Sequence, residues 1–364
     1  MVFFGTYDAR AHPRVGVLME GLRARRVEVV ECNAPLDLDT AARVAMLRRP
    51  LTAHRLVWRI VRRWVTLARV RRGLRAADAV VVGYLGHFDV LLARCMFPRT
   101  PVLLDHFVGG AETAVDRGLD PGSCTVGWLR RLDHLALRAA TLCVVDTPTR
   151  LELVPSRWRK GAVVVPIGAP SPWFEVATPP DPPPPLRVIF FGLFAPLQGG
   201  PTIGDAIARL RDRGDVRFTI VGEGQESEEA RRRAGANRHV EWLGRVSPDA
   251  LPELVARHHV CLGIFGTGRK ALEVVPNKLY QGAAAGCAIV TSDTPEQRAA
   301  LGEAGIYVPP GDAEALASAL ARLAEDPARV EEIRAAARAR ARAAFHPAAV
   351  VAELAEALQA CCPR

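Results

Sequence analysis

Only three of the 48 basic residues in this chain are lysines, and two of them, Lys270 and Lys278, fall in one short stretch. That stretch leaves an apolar run through Gly263-Ile264-Phe265-Gly266-Thr267-Gly268-Arg269, passes Lys270 and Glu273, and enters a helical pattern at Pro276-Asn277-Lys278. Pro276 suits a first turn and Asn277 an N-cap, so the helix is expected to aim its free N–H groups at the loop. With two compact ammonium groups beside it, such a helix start is an anion site. A point charge suits phosphate where a guanidinium would need a planar fork. Chance placement of lysines on a surface loop is the plainer alternative. A second turn, Gly222-Glu223-Gly224, follows another apolar run and would let a ligand approach the backbone, although an ordinary tight turn reads the same way. In the first half, Asp105-His106 closes an apolar run where the pair could bind or assist a hydroxyl; a cap or loop bond is the competing reading. Gly5, with Arg10 or Arg14 behind it, ends the first apolar run, where N–H groups can meet phosphate or simply turn the chain. Asp37-Leu38-Asp39 sets two carboxylates two positions apart but lies in a loop far from the other motifs, so it is read as structural.

These residues need elements to hold them. Short apolar runs at 27–30, 79–82, 101–104, 142–145 and 163–165 alternate with helical patterns, and the alternation resumes at 188–191, 218–221, 239–243, 260–265, 288–291 and 306–308. Strands spaced by helices imply parallel sheets built from βαβ units. Nine of the twenty residues from Pro166 to Pro185 are proline, a stretch that reads as a stiff extended connector. The expected organisation is an α/β chain of two doubly wound, Rossmann-like domains facing a cleft. Residues 1–168 form the first domain, 169–185 the linker, 186–345 the second domain, and 346–364 a closing helical segment. Ligands of such sheets bind beyond the carboxyl ends of the strands, where the motifs above lie.

Length and composition agree with two domains: 364 residues, 49% hydrophobic and 24% charged, are enough for two cores and unlike a disordered or fibrous chain. No apolar run has the length of a membrane span or a secretory signal, so the cytoplasm is the expected location. Eight cysteines without a CxxC pair point away from disulfides and zinc, and Cys361-Cys362 read as a frayed helix end rather than an acylation site. The net charge of +9 belongs to one half: residues 1–185 carry 26 Lys+Arg against 17 Asp+Glu, and residues 186–364 carry 22 against 22. Between Arg43 and Arg75 there are eleven arginines and no acidic residue. Within that span Val57, Ile60, Val61, Trp64 and Leu67 recur at helical spacing as one apolar stripe beside an arginine-rich face. The face reads either as the solvated side of a covering helix or as a surface for anionic lipid headgroups, at the inner face of a membrane, or for an anionic lipid-linked substrate. Nucleic acid fits less well, because the run is not interleaved with stacking aromatics.

Taken in order, several motifs resemble the retaining, GT-B-fold glycosyltransferases of glycosyltransferase family 4. The resemblance is strongest over about 186–310, in Val221-Gly222-Glu223-Gly224, Leu243-Gly244-Arg245-Val246 and Pro276-Asn277-Lys278-Leu279-Tyr280-Gln281-Gly282-Ala283-Ala284-Ala285-Gly286. It is weaker in the first half, through Phe4-Gly5-Thr6-Tyr7-Asp8, Val144-Val145-Asp146-Thr147 and Val164-Val165-Pro166-Ile167-Gly168. It implies a final helix that crosses back onto the first domain. The family's Glu-x7-Glu element falls on Glu273 and Gln281; the glutamine keeps an acceptor oxygen for ribose hydroxyls but not the charge. The loop Gly192-Leu193-Phe194-Ala195-Pro196-Leu197-Gln198-Gly199 has Leu193 and Gln198 where many relatives place phosphate-binding Arg and Lys.

The resemblance implies a metal-independent transfer of a sugar from a nucleoside-diphosphate sugar, with no cofactor, to a small-molecule, saccharide or lipid-linked acceptor, in cell-envelope glycan or natural-product chemistry. Lys278, Lys270 and the helix start at Asn277 would neutralise the leaving diphosphate, and Glu273 would orient the donor sugar. Gly192, Gln198, Gly222, Gly224, Arg245, Gln281 and Gly5 complete the expected donor contacts, with Asp105 and His106 on the acceptor side. A GT-B epimerase or phosphorylase, and a catalytically weakened nucleotide-sugar-binding partner subunit, remain as alternatives.

Overall fold

The computed structural model describes residues 1–9, 13–36, 50–70, 74, 77–84, 86–106, 109–176 and 184–361, without the side chains of 50–53 and 56. Arg10, the Asp37-Leu38-Asp39 triplet, the prolines at 179–183, Cys362 and the ends of the arginine-rich span lie outside the described residues. The chain divides into two compact units: Met1–Pro166 with Pro347–Arg364, and Ile167–His346.

The first unit is built on β1 (Val2–Gly5), β2 (Val30–Asn33), β3 (Val80–Val82), β4 (Val102–Asp105), β5 (Leu142–Val145) and β6 (Ala162–Val164). They form a wholly parallel sheet of order β2-β1-β3-β4-β5-β6. Both faces are covered, which explains why β1, β3, β4 and β5 read as unbroken buried runs rather than alternating ones. The expected strand at 27–30 begins instead at Val30; Val27 and Val29 pack on the core as the approach to it.

The second unit contains β7 (Leu186–Phe191), β8 (Val216–Val221), β9 (Val240–Leu243), β10 (Val260–Leu262), β11 (Ala288–Ser292) and β12 (Gly305–Val308), again all parallel, in the order β12-β11-β10-β7-β8-β9. This is the Rossmann order, in which the winding reverses between β7 and β10. The proline-rich stretch is not wholly extended. Pro172–Glu175 makes one helical turn, and its Trp173 is buried against the ring of Phe191 at 5.7 Å, because a large aromatic gains more from burial than from a straight connector.

The closing segment forms helices Pro347–Val350 and Ala352–Cys361, which belong to the first unit. Val350, Val351, Leu354 and Leu358 join the core of Phe3, Leu18 and Val81, and Gly21 admits the Pro347 carbonyl so closely that a Cβ would stand 2.2 Å from it.

Helix Pro50–Val70 corrects the expected single stripe. Ile60 and Leu67 are buried and Trp64 is half-buried, but Val57 and Val61 are 51% and 46% exposed. The sheet accepts one narrow ridge of this helix and leaves the next ridge outside. Among the described residues no helix is long and apolar enough to cross a membrane, and the seven described cysteines are free thiols.

Candidate functional site

In the second unit the sheet reversal places the loops after β7 and β10 side by side, and backbone bonds join them. Phe265 N–H donates to Gln198 O (3.1 Å) and Gly266 N–H to Leu197 O (3.2 Å). Gly199 can sit against the Phe265 carbonyl carbon only because it has no side chain and adopts φ +70°; a Cβ there would lie 2.5 Å away. The loop is also held from inside, by Phe194 N–H donating to Gln198 Oε1 (3.0 Å).

Lys278 reaches the same place from helix Asn277–Ala284. It is 4% exposed, its Nζ lies 3.7 Å from the centre of the Phe190 ring, and that nitrogen has no hydrogen-bond partner. A Cβ on Gly192 would stand 2.4 Å from Gln198 Oε1 and 2.8 Å from Lys278 Nζ, so Gly192, Gln198 and Lys278 converge on one point at the β7 exit. Burial lowers the Lys278 ammonium to about 7, with only the Cys261 thiol working the other way. An amine so placed can become fully charged when an anion arrives, and a missing Cβ keeps the approach open. The helix start differs from expectation: Pro276 is the cap residue, Asn277 is the first helical residue, and no side chain caps the N–H groups. Proline before the first turn leaves Asn277 already in helical geometry, where its side chain cannot reach back to N2 or N3. Gln281, one turn after Lys278, is buried on the same helix.

The other donor candidates fall into different roles. Gly222 and Gly224 do allow a close approach, but to their own chain: Cβ atoms there would lie 2.0 Å from Gly192 O and 1.7 Å from Leu193 O. They seat the Gly192 loop. Glu273 ends helix Arg269–Glu273 and accepts from Arg269 Nε at 2.8 Å, a partner that sequence reasoning passed over although i,i+4 spacing signals it. Lys270 lies on this helix, partly exposed. Arg245 follows the edge strand β9, two strands from β7, and is exposed, so the sheet does not bring it to Lys278. The first free N–H of helix Gly200–Arg209, at Gly200, is taken by Glu226 Oε2 at 3.0 Å.

In the first unit the β1/β3 exit is already occupied by protein groups. Asp89 accepts from Thr6 N, Thr6 Oγ1 and Trp64 Nε1, each at 2.8 Å, and a Cβ on Gly5 would lie 3.1 Å from it. Arg14 is 2% exposed and donates to Asp105 (2.8 Å) and to the carbonyls of Val165 and Pro166. Asp105 is thus one half of a buried ion pair, its carboxyl raised by burial against the pull of Arg14. His106 Nδ1 lies 3.2 Å from His87 Nε2, which is also 3.4 Å from Asp133 Oδ1. One of the two ring nitrogens in this contact donates and the other accepts, so the tautomer of the pair decides whether His106 Nε2 presents a proton or a lone pair. Burial, with His87 and Arg150 nearby, lowers His106 to about 3. His106 is therefore a neutral imidazole. The residue that the motif reading did not single out as a site is Asp146, at the β5 exit. It is 3% exposed, neither carboxylate oxygen bonds another residue, and burial raises it to about 6 even with Arg14 and Arg150 in range.

The comparisons with known proteins bear on both units. Residues 185–326 match the family described as glycosyl transferases group 1. The second unit carries a glycosyl transferases group 1 domain. A 140-residue stretch of the chain is 33% identical to the phosphatidyl-myo-inositol mannosyltransferase of Mycobacterium leprae, covering 37% of this chain and 36% of that protein. Over its whole length the chain has the GT-B fold. It is similar to the HepE protein of Anabaena in complex with UDP-glucose (TM-score 0.70, 16% identity, 99% of each chain). It is likewise similar to sucrose-phosphate synthase of Thermosynechococcus elongatus (TM-score 0.71, 18% identity, 99% of this chain and 98% of that one). The group 1 domain therefore contains the Lys278 site, and the acidic and histidine cluster lies in the other unit of a GT-B chain.

Proposed function

We propose that the chain is a glycosyltransferase that moves a sugar from a nucleoside-diphosphate sugar to an acceptor hydroxyl, with retention at the anomeric carbon and without a metal. The observation that carries this reading is Lys278: a buried amine without a partner, at the Rossmann reversal, beside a glycine whose missing side chain leaves room in front of it. As the glycosidic bond breaks, charge builds on the leaving diphosphate, and an ammonium in a desolvated setting stabilises that charge more than it stabilises the intact donor. Lys278 and the uncapped start of its helix replace the cations that Leu193 and Gln198 do not supply. Glu273, held by Arg269, orients the sugar, and Gln281 accepts from ribose hydroxyls. The complexes of HepE with UDP and UDP-glucose make uridine nucleotides the first donors to try.

On the acceptor side, Asp146 offers two acceptor oxygens and His106 a neutral imidazole, a pairing that suits a hydroxyl-bearing small molecule, saccharide or lipid-linked acceptor in the cytoplasm. Catalysis with retention needs no strong base from these groups, and the balance of Asp105 with Arg14 assigns that carboxylate to positioning. The test is thermal stabilisation by UDP-, GDP-, dTDP- and ADP-sugars, with and without EDTA, followed by turnover of Glu273→Ala and Lys278→Ala. An EDTA-insensitive shift for one nucleotide, and a loss of turnover by about a hundredfold or more in both variants, is expected from removal of groups acting in the transition state. No shift with any nucleotide would overturn the donor site, and a shift without turnover in any acceptor mixture would leave the noncatalytic partner reading.

A further inference from the structure

We infer that helix Pro50–Val70 is an in-plane anchor that seats the first unit on an anionic lipid bilayer. Eleven large apolar residues are exposed among the described ones, and five of them, Val57, Trp58, Val61, Val65 and Val70, lie on this single helix. Four of the five share one side. At 100° per residue, Val57, Val61, Val65 and Trp58 follow one another around the axis next to the buried ridge of Ile60, Trp64 and Leu67. The apolar side is therefore about 180° wide, roughly three times the arc that the domain buries, with the exposed His54 also on it. Its outer edge turns directly into Arg69, Arg62, Arg55 and Arg59, all exposed, and the Arg62 guanidinium lies over the Trp58 ring at 4.8 Å.

A solvated covering helix needs charge where this one has valines, so water does not account for the face. Charge selects the occupant. No acidic residue stands between Arg43 and Arg75, so a second copy docking through the same face would set arginine rows against each other. An anionic surface meets the arginines while its acyl boundary receives Val57, Val61, Val65 and Trp58, with the indole at the interface. This inference is independent of the sugar-transfer reading, since it uses no residue of the donor site.

The full chain is mixed with phosphatidylcholine vesicles with and without phosphatidylglycerol, and the bound fraction is read by co-sedimentation. Binding is expected only with the anionic lipid and should fall as salt rises. Replacing Arg59 or Arg62 by Gln should weaken partitioning roughly fivefold each, from about 1 kcal/mol per basic residue near such a surface. The triple change Trp58→Ser, Val61→Ser, Val65→Ser should abolish it while leaving the far-ultraviolet circular dichroism and the cooperative thermal unfolding of the chain unchanged. Acyl-chain bromination should quench tryptophan emission in the native chain, and Trp58→Phe should keep binding but lose most of that quenching. Native chain that ignores anionic vesicles would overturn the inference. So would a serine variant that binds as well as the native chain, or a concentration-dependent dimer that the same serines dissolve.

Discussion

Lys278 and Asp146 are both buried ionisable groups bonded to no other residue, and their stability costs run in opposite pH directions. Lys278 releases its proton near 7 in the folded protein, against an ordinary 10.5. Between those values the unfolded chain holds more protons, so stability rises with pH across that window. Lys278→Met, which keeps the stem and discards the charge, should be more stable than the native chain below pH 7, by roughly 5 kcal/mol at most, with the gap closing towards pH 10. Urea unfolding at pH 6 and pH 9.5 measures it. The same variant should lose nucleotide-induced stabilisation, which separates a site residue from a merely misplaced one. Asp146 behaves inversely: its folded value of about 6 lies above the ordinary 3.8, so the folded chain holds the extra proton and stability falls as pH rises from about 4 to 6. Above pH 6 the cost is fully present. Asp146→Asn should therefore stabilise the chain at pH 7 by on the order of 2 kcal/mol and make little difference at pH 4, by the same unfolding assay. Stability spent this way is expected at a binding site and unexplained elsewhere.

At the scale of elements, the loop after β7 is shaped by glycines on the neighbouring strand exit. Gly222 adopts φ +109° and, with Gly224, leaves no room for a methyl group against the carbonyls of Gly192 and Leu193. Alanine at either position must push that loop off its seat. A loss of about 2–4 kcal/mol is expected for Gly222→Ala, from overlap and backbone strain together. Nucleotide binding should weaken with it, because Gly192 and Gln198 move away from Lys278. Calorimetry with and without UDP checks both effects. Gly222-Glu223-Gly224 was legible as a close-approach motif, but the partner it admits is the chain itself. A sequence marks where a side chain must be absent and is silent about what fills the space.

For the whole molecule, the return of Pro347–Arg364 to the first unit makes the two ends of the chain one folding entity. Gly21 in helix Pro13–Ala24 packs on the Pro347 carbonyl, and Arg25 donates to Ala348 O at 3.0 Å. Gly21→Leu should detach the closing helices, expose Val350, Val351 and Leu354, and make the last residues sensitive to limited proteolysis. The thermal shift produced by UDP should persist in that variant, because every donor candidate except Gly5 lies in the other unit.

The strand-and-helix alternation, the parallel sheets and the neighbourhood of Lys278 follow from local patterning: hydrophobic periodicity and glycine placement act over a few residues and leave their mark in order along the chain. So does the concentration of positive charge in the first half. Pairing and burial do not. Arg14 meets Asp105 across 91 positions, His87 meets His106 across 19, and Lys278 has no ion-pair partner because β7 brings the Phe190 ring to it rather than a carboxylate. Helix Pro50–Val70 shows the same limit in one element. Its amphipathic character is written in the sequence, but which of its two apolar ridges meets the core is decided by what comes to lie beneath it, Leu36 and Phe88 at Ile60 and the core of Val2, Phe4 and Val80 at Leu67, residues that only the folded chain brings there.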